Sequence, residues 1–497
     1  MENTHGVEPV AGPGGGGGEP SIQEKKPRLN KYAFCCALVA STNSILLGYD
    51  IGVMSGAILY IKDHMKISRV EEEVLVGSLN VCSLIGSFAA GSTSDAIGRR
   101  YTIVLSSATF LIGALLMGLA PSYPFLMAGR LIAGIGVGYS LMIAPLYSAE
   151  ISPASSRGLL ASLSEVFIVL GILLGYIFNY VLSGLPEHMN WRIMLGIAAI
   201  PAFFIGICVI FMPESPRWLV MKGRQDEAKK ALGKVSSSPE EAQLRHDEIL
   251  KDLEDASSRP KGMRVWKEIL WKPTPQVRRI LVCALGINFF MQASGNDAVI
   301  YYTPEVFKSA GIHHKKQLVG ITVIMGLTKT AFVLVSALFL DHYGRRLLLL
   351  IGTGGMIVAL GGLGLGSKFL ENHEAGHKPQ WAIVICVMCV CTFVSFFSIG
   401  LGPITWVYTS EIFPTRLRAQ GNSLAISVNR LVSGTVAMTF LSISHAISFG
   451  GMFFILCGIM VVAFAFFYFV LPETKGKTLE EIGALFEKEK DGDKNRQ

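Results

Sequence analysis

Charged residues are scarce in this sequence. Asp, Glu, Lys and Arg make up 16% of its 497 residues and hydrophobic residues 51%, whereas an ordinary soluble domain has about 25% charged residues. So few charges cannot cover the surface of two or three water-soluble domains. This excludes a soluble enzyme and a disordered protein. The net charge of +7 is not gathered beside stacking aromatic residues, so no nucleic-acid partner is expected.

Residue clusters typical of enzymes and cofactor sites are also missing. No nucleophile, base and orienting group occur together with catalytic spacing, so no enzymatic activity is expected. The glycine run at 14–18 lacks a following Gly-Lys-Ser/Thr, and Gly-Ile-Gly-Val-Gly at 134–138 continues an apolar run without a preceding strand. The ten histidines lie in tails, loops or span edges, which disfavours a histidine proton relay. We therefore expect no cofactor, no metal ion and no catalytic residue.

Long apolar stretches, by contrast, are abundant, and twelve of them have about the 20 residues that a membrane-spanning helix needs. They begin near Tyr32, Val74, Tyr101, Tyr123, Gly158, Arg192, Arg278, Gln317, Leu347, Trp381, Ala419 and Phe449. The polar segment before Tyr32 has no short apolar core with a cleavage site, so no cleaved signal peptide is expected. Between the sixth and seventh stretches, Gln225–Val235 and 238–255 have helical periodicity with alternating charges.

The predicted organisation is that of an all-α membrane protein with twelve transmembrane helices. We expect residues 32–211 and 278–471 to form two six-helix bundles, joined by a loop with short helices at 212–277. Residues 1–31 are expected to form a disordered tail, and residues 472–497 a second tail. Lys and Arg are more frequent in the tails and in the loops on their side than in the other loops, even when the long loop is left out. Both termini are therefore expected in the cytoplasm, in a monomer embedded in the lipid of the plasma membrane.

Three motifs recur in the two predicted halves. Asp-Ala-Ile-Gly-Arg-Arg at 95–100 matches Asp-His-Tyr-Gly-Arg-Arg at 341–346, Tyr-Ser-Ala-Glu-Ile-Ser-Pro at 147–153 matches Tyr-Thr-Ser-Glu-Ile-Phe-Pro at 408–414, and Pro-Glu-Ser at 213–215 matches Pro-Glu-Thr at 472–474. Their similar offsets indicate two six-helix units in the same orientation. Repeats of this kind hold substrate between the halves near the bilayer midplane and expose it alternately to either side.

These motifs place acids and bases at the same helix ends in both halves. The first set is Asp95, Arg99, Arg100, Glu150, Arg157, Glu214 and Arg217, and the second is Asp341, Arg345, Arg346, Glu411, Arg416, Arg418 and Glu473. Acids matched by bases in both halves predict ion pairs that form a cytoplasmic gate, which breaks when the protein opens inward. The alternative for each arginine alone is an anchor on the cytoplasmic side of the membrane.

Six ionisable residues lie inside predicted spans, namely Asp50, Arg130, Glu165, Asp297, Lys329 and Arg430. Such residues cost about 2.5 to 3.5 kcal/mol each on insertion scales and usually mark a substrate or ion pathway. Counting along the helices puts Asp50 about ten residues from the outer end of its span and Arg130 about seven, so the two can pair. Separating them would favour protonation of the acid, which predicts proton coupling. The alternative is a static salt bridge between helices.

The same counting places Glu165, Lys329 and Arg430 around the midplane, where they could line one cavity. Near these charges and Asp297 stand hydrogen-bonding and aromatic side chains: Gln292, Ser294, Asn296, Trp406 and Asn429. This mixture suits a polyhydroxylated ligand, so we predict that the whole set binds substrate. For Trp406 the alternative is a core aromatic, and for Asn429 a hydrogen bond between helices.

From Tyr32 to about Phe486 the sequence resembles the sugar porter family of the major facilitator superfamily. Within that family it is most similar to plant polyol/monosaccharide proton symporters. The motifs that carry the resemblance are those at 48–53, 91–100, 129–130, 213–217, 292–295, 402–406 and 472–476. The resemblance implies twelve helices with an inner helical segment. It also implies, for proton-linked members, an aspartate at the position of Asp50 and an arginine at that of Arg130.

Three positions depart from the pattern of many hexose porters, which have Gln at the positions of Glu165 and Met291 and Asn at that of Asp297. Glu165 and Asp297 fit the polyol-type relatives, as Lys329 and Arg430 do. A carboxylate accepts two hydroxyl hydrogens, which favours open-chain polyols, although the acids could also simply balance the two bases. Met291 removes an amide that the motif leads one to expect against a sugar.

The residues and the resemblance together predict a proton-coupled symporter that imports linear polyols and some monosaccharides by alternating access. The proton is then a co-substrate. Two alternatives stay open: an uncoupled facilitator, and a sugar sensor that does not transport, for which Met291 is mild support.

Overall fold

The structure is a computed structural model that describes residues 30–152, 157–257, 268–271, 273–309, 311–312, 314–372, 379–414 and 417–475. Side chains are described for these residues except 157–162, 252–257, 309, 337–342, 410 and 418–419. Within these ranges the backbone forms helices, turns and short connections, and no strand.

The first half contains eight helices within the described ranges. They are α1 (Lys31–Thr42), α2 (Ser44–Met65), α3 (Arg69–Ile97), α4 (Arg99–Gly118), α5 (Tyr123–Ile151), α6 (Arg157–Leu182), α7 (Glu187–Gly196) and α8 (Ala199–Ile210). Two pairs act as single spans: α1 and α2 run from Lys31 to Met65, and α7 and α8 from Glu187 to Ile210. The first span is thus 35 residues long and extends further than the sequence indicated.

The described part of the connection between the halves contains the short helices α9 (Pro216–Met221), α10 (Gln225–Val235) and α11 (Pro239–Ser257). The periodicity of residues 225–235 and 238–255 therefore predicted both longer helices correctly. A small core of their own holds them together, and it contains Trp218, Leu219, Val220, Ala228 and Ala231. Asn30 donates to Lys234 O at 3.0 Å, so the start of α1 lies against this segment. We call the face of the protein that carries α9–α11 the linker side and the opposite face the distal side.

The second half repeats the arrangement of the first. Its helices are α12 (Pro275–Ala293), α13 (Asn296–Ser309), α14 (Lys315–Tyr343), α15 (Arg345–Glu371), α16 (Gln380–Ile399), α17 (Leu401–Ile412), α18 (Arg418–Ile447) and α19 (Phe449–Val470). Here α16 and α17 form one span. Between the halves, α3 packs against α18, α6 against α14, and α2 against α13.

The seventh predicted span is broken in two. Eleven helical segments in the described residues are long and apolar enough to cross a membrane, and α12 and α13 are not among them. Together they run from Pro275 to Ser309, where the sequence predicts the seventh span, and with the eleven other segments they make up the twelve predicted spans. Gly295 separates them with a φ of +77°, and a Cβ there would lie 2.7 Å from Leu456 Cδ1, so only glycine fits without strain. Discontinuous helices are typical of substrate sites in transporters.

Close packing of α2 on α6 positions the residues at the centre of the first half. A Cβ on Gly175 of α6 would lie 2.5 Å from the backbone nitrogen of Val53. Small residues therefore let the two helix backbones approach each other, as is common between membrane helices. This contact fixes the part of α2 that carries Asp50.

Candidate transport site

Asp50 and Arg130 form an ion pair in the interior of the first half. Asp50 Oδ2 pairs with Arg130 Nη1, and the two side chains are 2% and 0% exposed. Arg130 Nε also donates to Leu75 O at 3.1 Å, so the pair joins α2, α5 and α3. Asp50 lies fifteen residues before the end of α2 rather than about ten, because that helix continues to Met65. The predicted contact is present all the same.

The break between α12 and α13 is held by Ser294. Its hydroxyl donates to Met291 O at 2.6 Å and accepts from Asn296 N at 3.3 Å. Both bonds are made to backbone atoms, so Ser294 stabilises the break. As a result, Asn296 and Asp297 stand at the beginning of a new helix inside the protein.

Asp297 begins a polar chain that crosses the second half. Its Oδ2 accepts from Ser433 Oγ at 2.6 Å, and its Oδ1 accepts from Asn296 Nδ2 at 3.2 Å. The Gln292 amide satisfies its neighbours when its nitrogen donates to Asp297 Oδ2 and its oxygen accepts from Arg430 Nη2, both at 2.9 Å. The acid and the base are thus joined through an amide.

Arg430 continues this chain towards the other half. Its Nη2 and Nε donate to Asn429 Oδ1 at 2.6 and 3.0 Å. Its Nη1 lies 3.5 Å from Oδ1 of Asn80, which belongs to α3. Arg430 therefore contacts both halves at the centre of the protein.

Asn429 and Met291 connect the chain to α12. Asn429 Nδ2 lies 3.4 Å from Asn288 Oδ1 and 3.4 Å from Met291 Sδ. The hydrogen bond between helices that was the alternative for Asn429 is therefore present. Met291, whose position was unusual in sequence, is buried and serves as a weak acceptor within this network.

Glu165, Lys329 and Trp406 form the other side of the centre. Lys329 is 5% exposed, and its Nζ lies 5.4 Å from the centroid of the Phe397 ring. It interacts electrostatically with Asp297 and Glu165, but none of the ion pairs among the described residues includes it. Glu165 lies close to α17, because a Cβ on Gly402 would be 3.7 Å from its Oε1. Trp406 is half-buried against the core.

Several buried polar atoms around this centre have no hydrogen-bond partner in the described part of the chain. They are Asn80 Nδ2, Arg130 Nη2, Ser164 Oγ, Asn296 Oδ1 and Tyr301 OH. Native interiors pair most buried polar atoms, so this concentration is unusual. Tyr301 lies within electrostatic range of both charge groups, Asp50 with Arg130 and Asp297 with Arg430. The centre thus offers donors and acceptors of both kinds to a ligand with many hydroxyl groups.

On the linker side, Arg99 is the hub of the first charged cluster. Its side chain donates to Glu150 Oε2 at 3.0 Å and to Asp95 Oδ1 at 2.9 Å. Glu214 accepts from the backbone nitrogens of Arg99 and Arg100 at 2.9 and 3.1 Å. Burial raises the pKa of the Glu214 carboxyl, and these backbone donors oppose that rise.

Arg345 is the equivalent hub in the second half. Its Nη2 donates to Glu411 Oε1 at 3.0 Å, and Glu473 accepts from the backbone nitrogens of Arg345 and Arg346 at 3.0 and 2.9 Å. Thr474 Oγ1 donates to Glu411 Oε2 at 2.9 Å. The described contacts of Arg345, Glu411 and Glu473 therefore match those of Arg99, Glu150 and Glu214.

Not every predicted gate residue can be placed. Arg416 lies outside the described residues, as do the side chains of Arg157, Asp341 and Arg418. Arg217 stands in the first turn of α9. Each ion pair that the structure places among the predicted gate residues joins helix ends within one half, so parting the halves would leave these pairs intact. These pairs clamp the ends of α3, α4 and α5, and of α15 and α17.

Comparison with known proteins identifies the family. Residues 36–486 match the family described as Sugar (and other) transporter. The chain belongs to this family. Similar members are Probable polyol transporter 6 and Polyol transporter 5 of Arabidopsis thaliana, both 53% identical, over 95% and 94% of this chain and 97% and 88% of theirs. Putative metabolite transport protein YwtG of Bacillus subtilis (strain 168) is 36% identical over 88% of this chain and 91% of its own.

Solved structures show the same fold. The major facilitator superfamily proton:xylose symporter XylE bound to 6-bromo-6-deoxy-D-glucose has a TM-score of 0.78 at 28% identity, over 92% of this chain and 99% of its own. Inward-open XylE from E. coli has a TM-score of 0.75 at 27% identity, over 91% of this chain and 100% of its own. The predictions of a major facilitator fold and of a transporter rather than an enzyme are confirmed.

The sequence of this sugar transporter family member did not reveal several residues of the centre. Asn80, Asn288, Tyr301 and Ser433 were not predicted, although each is buried and close to the charged groups. For Tyr301 there was a signal, since it lies four residues after Asp297 and hence on the same face of α13. The others had none beyond being polar residues within an apolar span.

Proposed function

We propose that this protein is a proton-coupled symporter that imports linear polyols and some monosaccharides by alternating access. The observation that carries the proposal is the buried ion pair of Asp50 and Arg130. Losing one partner of such a pair costs about 3 to 5 kcal/mol, so an aspartate that is parted from its arginine is relieved by taking up a proton. Conversely, pairing with the arginine releases the proton.

A connection between this pair and the central network supports coupling to substrate. Arg130 Nη2 and Tyr301 OH have no hydrogen-bond partner among the described residues, and Tyr301 lies within electrostatic range of Asp50, Arg130, Asp297 and Arg430. A ligand that bonds to Asp297 or to the Tyr301 hydroxyl would change the field on the ion pair. Protonation of Asp50 and binding of substrate then favour the same state of the protein.

Two features support polyols as the substrate class. The central acids Glu165 and Asp297 can each accept hydroxyl hydrogens, while Gln292, Asn296 and Lys329 can donate. The similar plant proteins are named polyol transporters, and XylE is a proton:xylose symporter. We assign Trp406 and Asn429 to the same site, the first as an apolar surface for the carbon chain and the second as a polar group that orients Arg430.

The proposed orientation has the linker side and both termini in the cytoplasm of a plasma-membrane monomer. Residues 32–211 and 278–471 then move as two bundles joined by the loop 212–277. Each proton that enters with substrate gains about 2.3 kcal/mol per 100 mV of inside-negative potential. We assign the clusters around Arg99 and Arg345 to the cytoplasmic gate, where they keep the helix ends of each bundle together as the bundles move.

Recording currents in oocytes tests the proposal. A panel of linear polyols and monosaccharides is applied at one acidic and one near-neutral external pH, with labelled-substrate uptake measured in parallel. We expect inward currents that grow at acidic pH and that disappear in Asp50→Asn. The exposed linker acid offers a matched control, since Asp226→Asn removes the same charge far from the site.

Two results would overturn the proposal. Uptake that is electroneutral and independent of pH would identify an uncoupled facilitator. A protein that reaches the surface and yet moves none of the panel would favour a sensor.

A further inference from the structure

Two lysines on the distal side hold the two halves together. Lys62, near the end of α2, lies 2.9 Å from Glu72 Oε2 in its own half and 3.5 Å from Glu305 Oε1 of α13 in the other half. Glu72 is 2% exposed, Glu305 18% and Lys62 32%, so the two acids are more shielded from water than the lysine between them. It connects the first half to the part of the seventh span that follows the break.

Lys315 makes the reverse connection from the second half. Its Nζ, at the start of α14, lies 2.6 Å from Asp63 Oδ2 and 2.7 Å from Glu187 Oε1, both in the first half. The same ammonium group lies 4.9 Å from the centroid of the Tyr60 ring. A single cation therefore bridges α2 and α7 to α14.

A third contact lies beside these two. Glu73 of α3 accepts from the backbone nitrogen of Ser442 at 2.7 Å and from its hydroxyl at 2.5 Å. Ser442 belongs to α18, so this carboxylate again joins the two halves. We call the residues of these three contacts the distal lock: Lys62 with Glu72 and Glu305, Lys315 with Asp63 and Glu187, and Glu73 with Ser442.

We propose that the distal lock is a gate that determines how often the distal side of the transporter opens. The proposal rests on the alternating access of the proposed function but not on its substrate or its proton. Opening on the distal side must separate α2 from α13 and α14, and this breaks each contact between Lys62 and Glu305 and between Lys315 and its two acids. The linker-side clusters differ, since their described pairs lie within one half.

The location of the lock links it to the centre of the protein. Asp50 and Lys62 lie on the same helix, twelve residues or roughly 18 Å apart. Movement of the distal end of α2 away from α13 is therefore the movement that would give Asp50 access to the distal solution. Because the pairs are partly exposed, each should change the ratio of open to closed states by about fivefold or less.

A distance measurement between spin labels tests the proposal directly. Labels are placed on the full chain with Leu119→Cys at the distal end of α4 and Asn372→Cys after α15, both exposed and away from the lock. The exposed native thiols are removed with Cys35→Ser and Cys208→Ser. We expect Lys315→Gln to move a several-fold larger fraction of molecules to the longer, open distance, and Lys62→Gln combined with it to move more.

Matched controls separate a gate from a loss of folding. Lys308→Gln removes a lysine from the same side, and no ion pair of the described residues involves it, so the distances should stay as in the parent. Lys62→Glu alone should open the protein most, because three acids then meet without a base. Adding Glu305→Lys returns a base beside position 62 and should recover part of the closed distance, although the acid at position 62 still faces Glu72. Unchanged distances in Lys315→Gln and Lys62→Gln, or a swap that restores nothing, would overturn the proposal. This readout needs no transport, so its failure is distinct from a failure of the symport assignment.

Discussion

Replacing Asp50 by Asn tests whether its carboxylate couples transport to protons or only forms a static salt bridge. The substitution keeps the shape of the side chain and removes its charge, which leaves the guanidinium of Arg130, 0% exposed, without its counter-charge. Removing one partner of a buried pair costs about 3 to 5 kcal/mol. The remaining bond from Arg130 Nε to Leu75 O, at 3.1 Å, restores only part of this. We therefore expect Asp50→Asn to lower the melting temperature of the purified protein.

Substrate exchange and substrate accumulation should respond differently to this substitution. Asn resembles a permanently protonated Asp, so exchange of labelled for unlabelled substrate across proteoliposome membranes should persist, while accumulation driven by a pH gradient should be lost. Adding Arg130→Met removes the unpaired charge and should recover most of the melting temperature without restoring accumulation. Accumulation at the parental level in Asp50→Asn would refute the reasoning, because a static salt bridge would then suffice to explain the pair. Equal loss of exchange and accumulation would point to a general structural defect.

Three further predictions address the rest of the molecule. Glu165→Gln, which removes an acceptor that faces the centre, should raise the KM for linear polyols more than that for hexoses, measured by competition for uptake; an equal rise would indicate that Glu165 only balances Lys329. Gly295→Ala should destabilise the protein by about 1 to 3 kcal/mol through its φ of +77°, whereas Gly184→Ala, in open space, should leave the melting temperature unchanged. Glu150→Gln and Glu411→Gln should reduce the transport rate more than surface expression, and a parallel loss of both would show that the clusters act only in folding.

Sequence patterns predicted the parts of this protein that depend on local composition. Apolar length revealed the spans, and charge within a span revealed Asp50, Arg130, Glu165, Lys329 and Arg430. The contact of Asp50 with Arg130 followed from helix geometry, since depth along a helix is nearly fixed by residue number.

Features that depend on how distant segments meet were not predictable in the same way. Gly295 looks like one of many glycines until its φ is known. Met291 appeared to be a missing ligand group, yet it contacts Asn429 within the network. Lys62 and Glu305 read as ordinary charges near helix ends, because their pairing depends on the relative placement of two halves of the chain. The charged clusters around Arg99 and Arg345 were recognised by repetition, but only the structure shows that their described pairs stay within one half.

The described pairs of the clusters around Arg99 and Arg345 each lie within one half, and this has a consequence for biosynthesis. Arg99, Glu150 and Glu214 all precede the linker helices. The contacts between these residues can therefore form as soon as about 215 residues have left the ribosome. No contact that the structure describes for Arg99, Glu150 or Glu214 involves a residue of the second bundle. The amino-terminal bundle can therefore fold in the bilayer while the rest of the chain is still being translated. The second bundle, with Arg345, Glu411 and Glu473, then packs against a first bundle that is already folded.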